Sequence, residues 1–175
     1  MKKLCLALAL LLALSSLLPL AACAEEVISG GEPNILAVGQ TVSVPDLLDF
    51  TVDKIEWENA IRTIKGSSFY TFDSQQEMQL LYISCTLVNN SMSDIFFDKY
   101  VTAKVRFRDN YEYDGQPVQY SPDRGDRYYG AQAIRPLVIG FPRFVFTVPA
   151  QIETSTDSLV LEFTINGDPY ELVIR

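Results

Sequence analysis

Between Leu80 and Val88 the chain reads Leu-Leu-Tyr-Ile-Ser-Cys-Thr-Leu-Val, with Leu81, Ile83, Cys85 and Leu87 apolar and Tyr82, Ser84 and Thr86 each carrying a hydroxyl. A period of two residues predicts a β-strand and commits one of its faces to a core. The same alternation returns from Tyr100 to Arg108, where Val101, Ala103, Val105 and Phe107 oppose Thr102, Lys104, Arg106 and Arg108. Its basic row reads as a solvated face rather than a binding stripe. Leu159, Leu161, Phe163 and Ile165 form a third committed face, Asn166-Gly167 predicts a two-residue hairpin turn, and Tyr170, Leu172 and Ile174 return from it. Phe144, Phe146 and Val148 form a fourth face, and Pro136, Pro142 and Pro149 predict sheet edges and corners around it.

Gly39 opens a short strand that runs to Val44. After it, Leu48, Phe50 and Val52 share one parity and Ile55 and Trp57 take the other, a phase change that predicts a β-bulge at Asp53-Lys54. From Asn59 to Gln76 the pattern is mixed. Ile61 and Ile64 suggest one helical turn, Gly66-Ser67-Ser68 breaks it, and Phe69 to Phe72 reads as a short strand. Asp109 to Gly130 is rich in Asp, Gly, Pro and Tyr and reads as loop. About seven to nine short strands and no long helix predict an all-β fold over 35–175, an immunoglobulin-like antiparallel β-sandwich without a disulfide.

The first residues alter the picture of where this sandwich works. Lys2-Lys3, the apolar run Leu4–Leu18 and Leu20-Ala21-Ala22-Cys23 are the parts of a signal peptide spanning 1–22. The last four residues match a lipobox, which makes Cys23 the lipidation site and predicts an exported protein anchored to the outer face of a bacterial cell membrane. Ala22-Cys23-Ala24 also fits an ordinary cleavage site, and cutting behind Ala24 would release a secreted chain. Residues 23–34, with Gly, Pro and charge but no periodicity, read as a flexible tether.

Composition removes several functions. Without Lys2 and Lys3 there are 12 basic and 22 acidic residues, a formal charge of about −10 that repels phosphate backbones and makes nucleic acid an unfavourable partner. The sequence has no histidine, the usual general base and zinc ligand. With Cys5 in the signal and Cys23 acylated, Cys85 stands alone on a core face as a small hydrophobe.

Asn110 to Gly115 alternates oxygen-bearing side chains in the manner of a calcium loop, but Ser121 occupies the position where an EF-hand beginning at Asn110 needs a bidentate Glu. A hairpin turn through Asp114-Gly115 is the expectation instead, and no metal or other cofactor is assigned. Five of the nine tyrosines, Tyr111, Tyr113, Tyr120, Tyr128 and Tyr129, fall in this stretch beside Arg124 and Arg127. Tyrosine and arginine in loops suit contact with protein or carbohydrate. The competing expectation is that these rings pack down on the sandwich to order a long loop.

The succession of Gly39-Gln40-Thr41-Val42, Phe50-Thr51-Val52, Val88-Asn89-Asn90, Asp109 to Gly115 and Phe144 to Pro149 resembles a family of immunoglobulin-like domains of unknown function. That family is common in lipoproteins and secreted proteins of Gram-positive bacteria and is similar in fold to a secreted immunoprotective mycobacterial antigen. The resemblance runs from Val38 to the C-terminus, with Asn59–Gln76 and Pro117–Gly130 longer than the family pattern. It implies a sandwich and a surface address, and no catalytic residues. The expected function is therefore a non-catalytic binding module of the cell surface, acting through its loops on a protein or carbohydrate ligand. The alternatives are a carbohydrate-active hydrolase working through carboxylates, whose paired geometry sequence spacing does not reveal, and an accessory subunit of an envelope complex.

Overall fold

Each of the alternating segments carries an unbroken apolar row, and two sheets bury these rows against one another. The computed structural model describes residues 32–61, 72–74, 76–121, 127–129 and 132–175. In chain order the elements are β1 (Asn34–Ile35), β2 (Thr41–Val44), β3 (Leu48–Glu58), β4 (Ala60–Ile61), β5 (Phe72–Asp73), β6 (Met78–Asn89), β7 (Ile95–Phe96), a 3₁₀ turn (Phe97–Lys99), β8 (Val101–Phe107), β9 (Tyr111–Asp114), β10 (Gln116–Ser121), β11 (Arg127–Tyr129), β12 (Ala133–Ile134), β13 (Ile139–Pro149), α1 (Gln151–Thr154), β14 (Leu159–Ile165) and β15 (Asp168–Val173). One sheet has the order β1-β15-β14-β8-β9 and the other β11-β10-β13-β6-β3-β2, while β7–β12 and β4–β5 make two small ladders. Among the described strands all pairs are antiparallel except β1, which runs parallel to β15. The fold is an all-β, immunoglobulin-like antiparallel sandwich, and no helix among the described residues is long and apolar enough to cross a membrane.

Among the described residues there are fifteen strand segments where seven to nine were expected. Three of them, β1, β7 and β12, are two residues long, too short for an alternation to register in sequence, and three more, β9 to β11, arise from the stretch expected to be loop. The region 62–71, which contains the expected break and most of the expected strand at Phe69–Phe72, lies outside the described residues.

The committed faces meet as expected. Leu81, Ile83, Cys85 and Leu87 are all fully buried, opposite Val101, Val105, Leu161 and Phe163 of the second sheet's core row. Phe163 takes the edges of two rings, Phe50 at 5.5 Å and Phe144 at 5.9 Å, an arrangement aromatic quadrupoles favour. Cys85 is a free thiol whose pKa burial pushes far up, so it is inert packing material. The β3–β6 register shifts between Val52 and Lys54, the bulge predicted at Asp53-Lys54, and it turns Ile55 and Trp57 back toward the core opposite Ile83 and Leu81. At the β14–β15 turn Asn166 and Gly167 both have positive φ, 51° and 94°, as a primed hairpin turn requires. The basic row of β8 is neutralised by its neighbours: Arg106 pairs with Glu162, with Glu171 at 2.9 Å and with Asp109 at 3.1 Å, and Lys104 with Glu112 at 3.2 Å.

Pro142 departs from expectation. It sits inside β13, between β10 and β6, rather than at an edge or corner. Proline has no N–H for the ladder. The neighbouring Arg143 supplies donors in its place, its Nη1 donating to Cys85 O at 2.7 Å and to Pro142 O at 2.9 Å.

The sandwich has two distinct ends. At the near end the chain comes in at Asn34, whose side-chain amide donates to Pro169 O at 3.2 Å beside the Asn166-Gly167 turn. This end also carries the Asn89–Tyr100 connection and the turn before β13, and Asn166 N donates to Tyr100 O at 2.7 Å there. The far end carries the β8–β9 turn, the turn before β6, α1 and the C-terminus.

Candidate functional site

The tyrosine-bearing stretch is organised by two backbone events. Arg108 and Asp109 adopt positive φ, 51° and 59°, and turn β8 into β9, so the hairpin turn lies ahead of Asp114-Gly115 rather than through it. Gly115 is instead where the chain leaves the five-stranded sheet for the six-stranded one. Its N–H donates to Ala103 O at 2.9 Å, and a Cβ there would stand 2.7 Å from the ring of Phe146. Only a residue without a side chain fits this crossing unaltered.

The crossing divides the expected cluster. Tyr111 and Tyr113 lie on β9, opposite Phe107 and Val105, on the core-facing side of the five-stranded sheet. Tyr120 lies on β10 in the other sheet, with Tyr128 opposite it, Tyr129 opposite Gln119 and Arg127 opposite Ser121 across the β10–β11 pair. Arg124 and Cys23 lie outside the described residues.

Tyr120 belongs to a small second core on the outward face of its sheet. Leu80, Val118 and Val145 are buried there with Tyr82 and Tyr120 packed against them. Arg143 lies over the Tyr120 ring at 5.4 Å, and its Nε donates to Tyr82 Oη at 3.1 Å. For Tyr120 this is the packing against the sandwich expected as the competing role. Periodicity does not single out Arg143, although a long donor directly after a proline in an apolar strand is a usable signal for a side chain that repairs a ladder.

Tyr111 and Tyr113 form a different kind of place. Together with Phe107, Arg108, Gln151 and Ile152 they line a cleft of ≈150 Å³ at the far end, and a neighbouring hollow of ≈350 Å³ shares Gln151 and has Glu77 on its wall. Tyr111 is 53% exposed, its ring centroid 6.3 Å from that of Phe107. Tyr113 is half-buried, and burial, aided by Tyr111, raises its phenol pKa and keeps it a neutral donor. The guanidinium of Arg108 lies 5.0 Å over the Phe107 ring and donates through Nε to Asp157 Oδ2 at 2.7 Å. Ser155 Oγ donates to the same carboxylate at 2.7 Å, and these two partners hold the Asp157 pKa below its ordinary value, Ser155 contributing most.

The opposite wall is built by α1, a single turn pinned by the buried Ile152. Arg175 ties this turn to the C-terminus by donating to the carbonyls of Ile152 and Asp157. The result is a pre-ordered concavity with an apolar floor, two phenol hydroxyls, an amide and a fixed guanidinium, and no carboxylate among its described lining residues. Such a surface can stack on a flat apolar face and exchange hydrogen bonds around its rim. Phe107 and Arg108 were legible only as members of a core row and a solvated row, and Gln151-Ile152 gave no signal at all.

Similarity to known proteins extends to fold alone. No protein-family model matches the chain, and no curated protein does. An uncharacterised β-sandwich protein from Clostridium difficile superposes with a TM-score of 0.72 at 20% identity, covering 82% of this chain and 95% of that one. A conserved hypothetical protein from Bacillus anthracis matches with a TM-score of 0.55 at 12% identity, over 79% of this chain and 94% of its own. These neighbours are proteins of Gram-positive bacteria without an established activity.

Proposed function

We propose that this chain is an exported, lipid-anchored, non-catalytic binding module that holds a protein or carbohydrate ligand at its far end. The observation that carries the reading is the cleft formed by Tyr111, Tyr113, Arg108 and Gln151, which opens at the end opposite the one where the chain comes in at Asn34. A module tethered through residues 23–34 presents that end away from its anchor. The signal peptide, the lipobox ending at Cys23 and the resemblance to the immunoglobulin-like lipoprotein family support the address, and a lining without a carboxylate among its described residues supports holding a ligand over hydrolysing it.

The test is site-specific crosslinking on intact cells producing the full chain. A photoreactive phenylalanine analogue at Tyr111 is expected to capture a discrete adduct, or a glycan-bearing one, that is lost when Gln151 is changed to Ala. The same analogue at Thr164, on the outward face of the five-stranded sheet, is expected to capture none. Equal capture at both positions, or none at Tyr111, overturns the reading.

A further inference from the structure

The near end is built differently from the far end. Its turns present Met92, Leu137, Val138 and Ile139 to solvent, with Phe96 partly exposed beside them; Met92 is fully exposed and Leu137 is 82% exposed. Scattered single apolar residues on a surface need no explanation, but Leu137, Val138 and Ile139 are consecutive and all exposed, and an apolar cluster of this kind marks an interaction site.

Leu137 is also held in a conformation that does not suit it. Its φ is +60°, a left-handed backbone that glycine adopts freely and leucine does not. The surrounding framework enforces it: Leu137 N donates to Asn89 O at 2.8 Å, Asn89 N to Val138 O at 3.2 Å, and the buried Asn89 side-chain amide to Ile134 O at 2.7 Å. A strained residue with its side chain in solvent gains nothing for the folded domain from being leucine. It is a tip presented by a rigid turn.

What covers this fringe is indicated by where the preceding chain joins. Asn34 is bonded beside the Asn166-Gly167 turn at this same end, and the eleven residues from Cys23 to it span at most ~40 Å when fully extended. We infer that the near end is a membrane-contact surface, with Leu137, Met92 and Ile139 inserting into the interfacial region of the lipid bilayer. The inference rests on the anchored reading above and deepens it by giving the domain a fixed orientation. Charge decides the kind of lipid contact. Among the described residues Asp46, Asp94, Asp98 and Asp168 outnumber Lys99 and Arg135 around these turns, so the contact is apolar insertion rather than attraction to anionic headgroups, and on zwitterionic lipid it is insensitive to salt.

The test uses the full acylated protein in phosphatidylcholine vesicles, with an environment-sensitive fluorophore on a cysteine replacing Leu137 or, at the far end, Asn110. Cys85 is buried and the Cys23 thiol is consumed by the lipid, so each label is unique. Lipids brominated on their acyl chains are expected to quench the label at 137 strongly, at low and high salt alike, and to leave the label at 110 unaffected. Absence of quenching at 137, in material whose acylated Cys23 peptide is verified by mass spectrometry, overturns the inference. If that peptide carries no acyl group the anchored reading fails separately. The released chain is then mixed with the same vesicles, where quenching at 137 supports the surface and its absence overturns it. Quenching that follows protein density rather than bromine content points to contact between copies and also overturns it. As an independent check, Leu137→Asn keeps a side chain suited to the left-handed turn. It is expected to leave thermal stability unchanged or raised while weakening vesicle association of the unacylated chain.

Discussion

Loss of the Asn89 side chain is expected to unpair more buried backbone than its place in a polar turn suggests. It opens a polar run that looks like an ordinary turn, yet it is fully buried at the end of β6. Its Nδ2 donates to Ile134 O at 2.7 Å and to Ser93 O at 2.8 Å, and its Oδ1 accepts from Ser91 N at 2.8 Å and Ser91 Oγ at 2.7 Å. The amide orientation is forced, because a flipped group would face donors with donors and acceptors with acceptors. In Asn89→Ala the buried Ile134 carbonyl loses its donor, at about 1–3 kcal/mol, and three part-buried bonds add roughly 0.5–1 kcal/mol each, because water replaces them only incompletely. The expected loss is about 3–5 kcal/mol, or a fall in Tm of ~10–15 °C for a domain of this size.

Asn89→Asp separates hydrogen bonding from packing. The substituted carboxylate would face two carbonyl oxygens, so its protonated form is favoured and its folded-state pKa rises above the unfolded one. The native state then binds more protons than the unfolded state, and stability increases as pH falls from ~7 toward ~4. Urea unfolding of both variants from pH 4 to 8 measures this. A loss below ~1 kcal/mol in Asn89→Ala, or an Asn89→Asp variant with the pH profile of the wild type, refutes the account.

Gly115→Ala is expected to cost ~1–3 kcal/mol by overpacking against Phe146, whose ring is fully buried, and combining it with Phe146→Leu should recover part of that loss in a double-mutant cycle. Ile83→Leu, which conserves volume on the most buried face, should cost less than ~1.5 kcal/mol, whereas Ile83→Ala should cost ~2–5 kcal/mol by denaturant unfolding; an unchanged midpoint in Ile83→Ala would remove β6 from the centre of the fold. Asp157 has its pKa held below the ordinary 3.8, so the stabilisation it contributes is present above that value and lost as pH falls through the depressed one. Asp157→Asn should therefore flatten the acid limb of the stability profile below pH ~3.8, and an acid limb as steep as that of the wild type contradicts the Ser155 and Arg108 hydrogen bonds.

Much of the sandwich was legible because a strand's face parity is a local property. The rows of β6, β8 and β14 repeat every two residues, and a bulge must appear where Val52 gives way to Ile55. Asn166-Gly167 supplies the two positive-φ positions a tight hairpin needs. The near-end tips were not legible, since Leu137 in sequence is one apolar residue among many and its strain exists only where Asn89 grips the turn. Pro142 misled for a related reason. A missing N–H argues for an edge only if no other donor reaches the gap, and Arg143 fills it from the next residue.

The Tyr111–Tyr129 stretch marks the boundary between the two kinds of information. Its composition identified residues able to bind, and the local pattern treated them as one cluster. Tertiary structure divided them at Gly115, sending Tyr120 into a second small core beside Arg143 and leaving Tyr111 and Tyr113 at a cleft completed by Arg108 and Gln151. Periodicity along the chain by itself determined which side of each strand is apolar, because that depends on neighbours two residues apart. Which strands share a sheet, which end each turn occupies and which side chains share a cleft were decided only in three dimensions, because pairing and crossing join residues tens of positions apart that no local pattern relates.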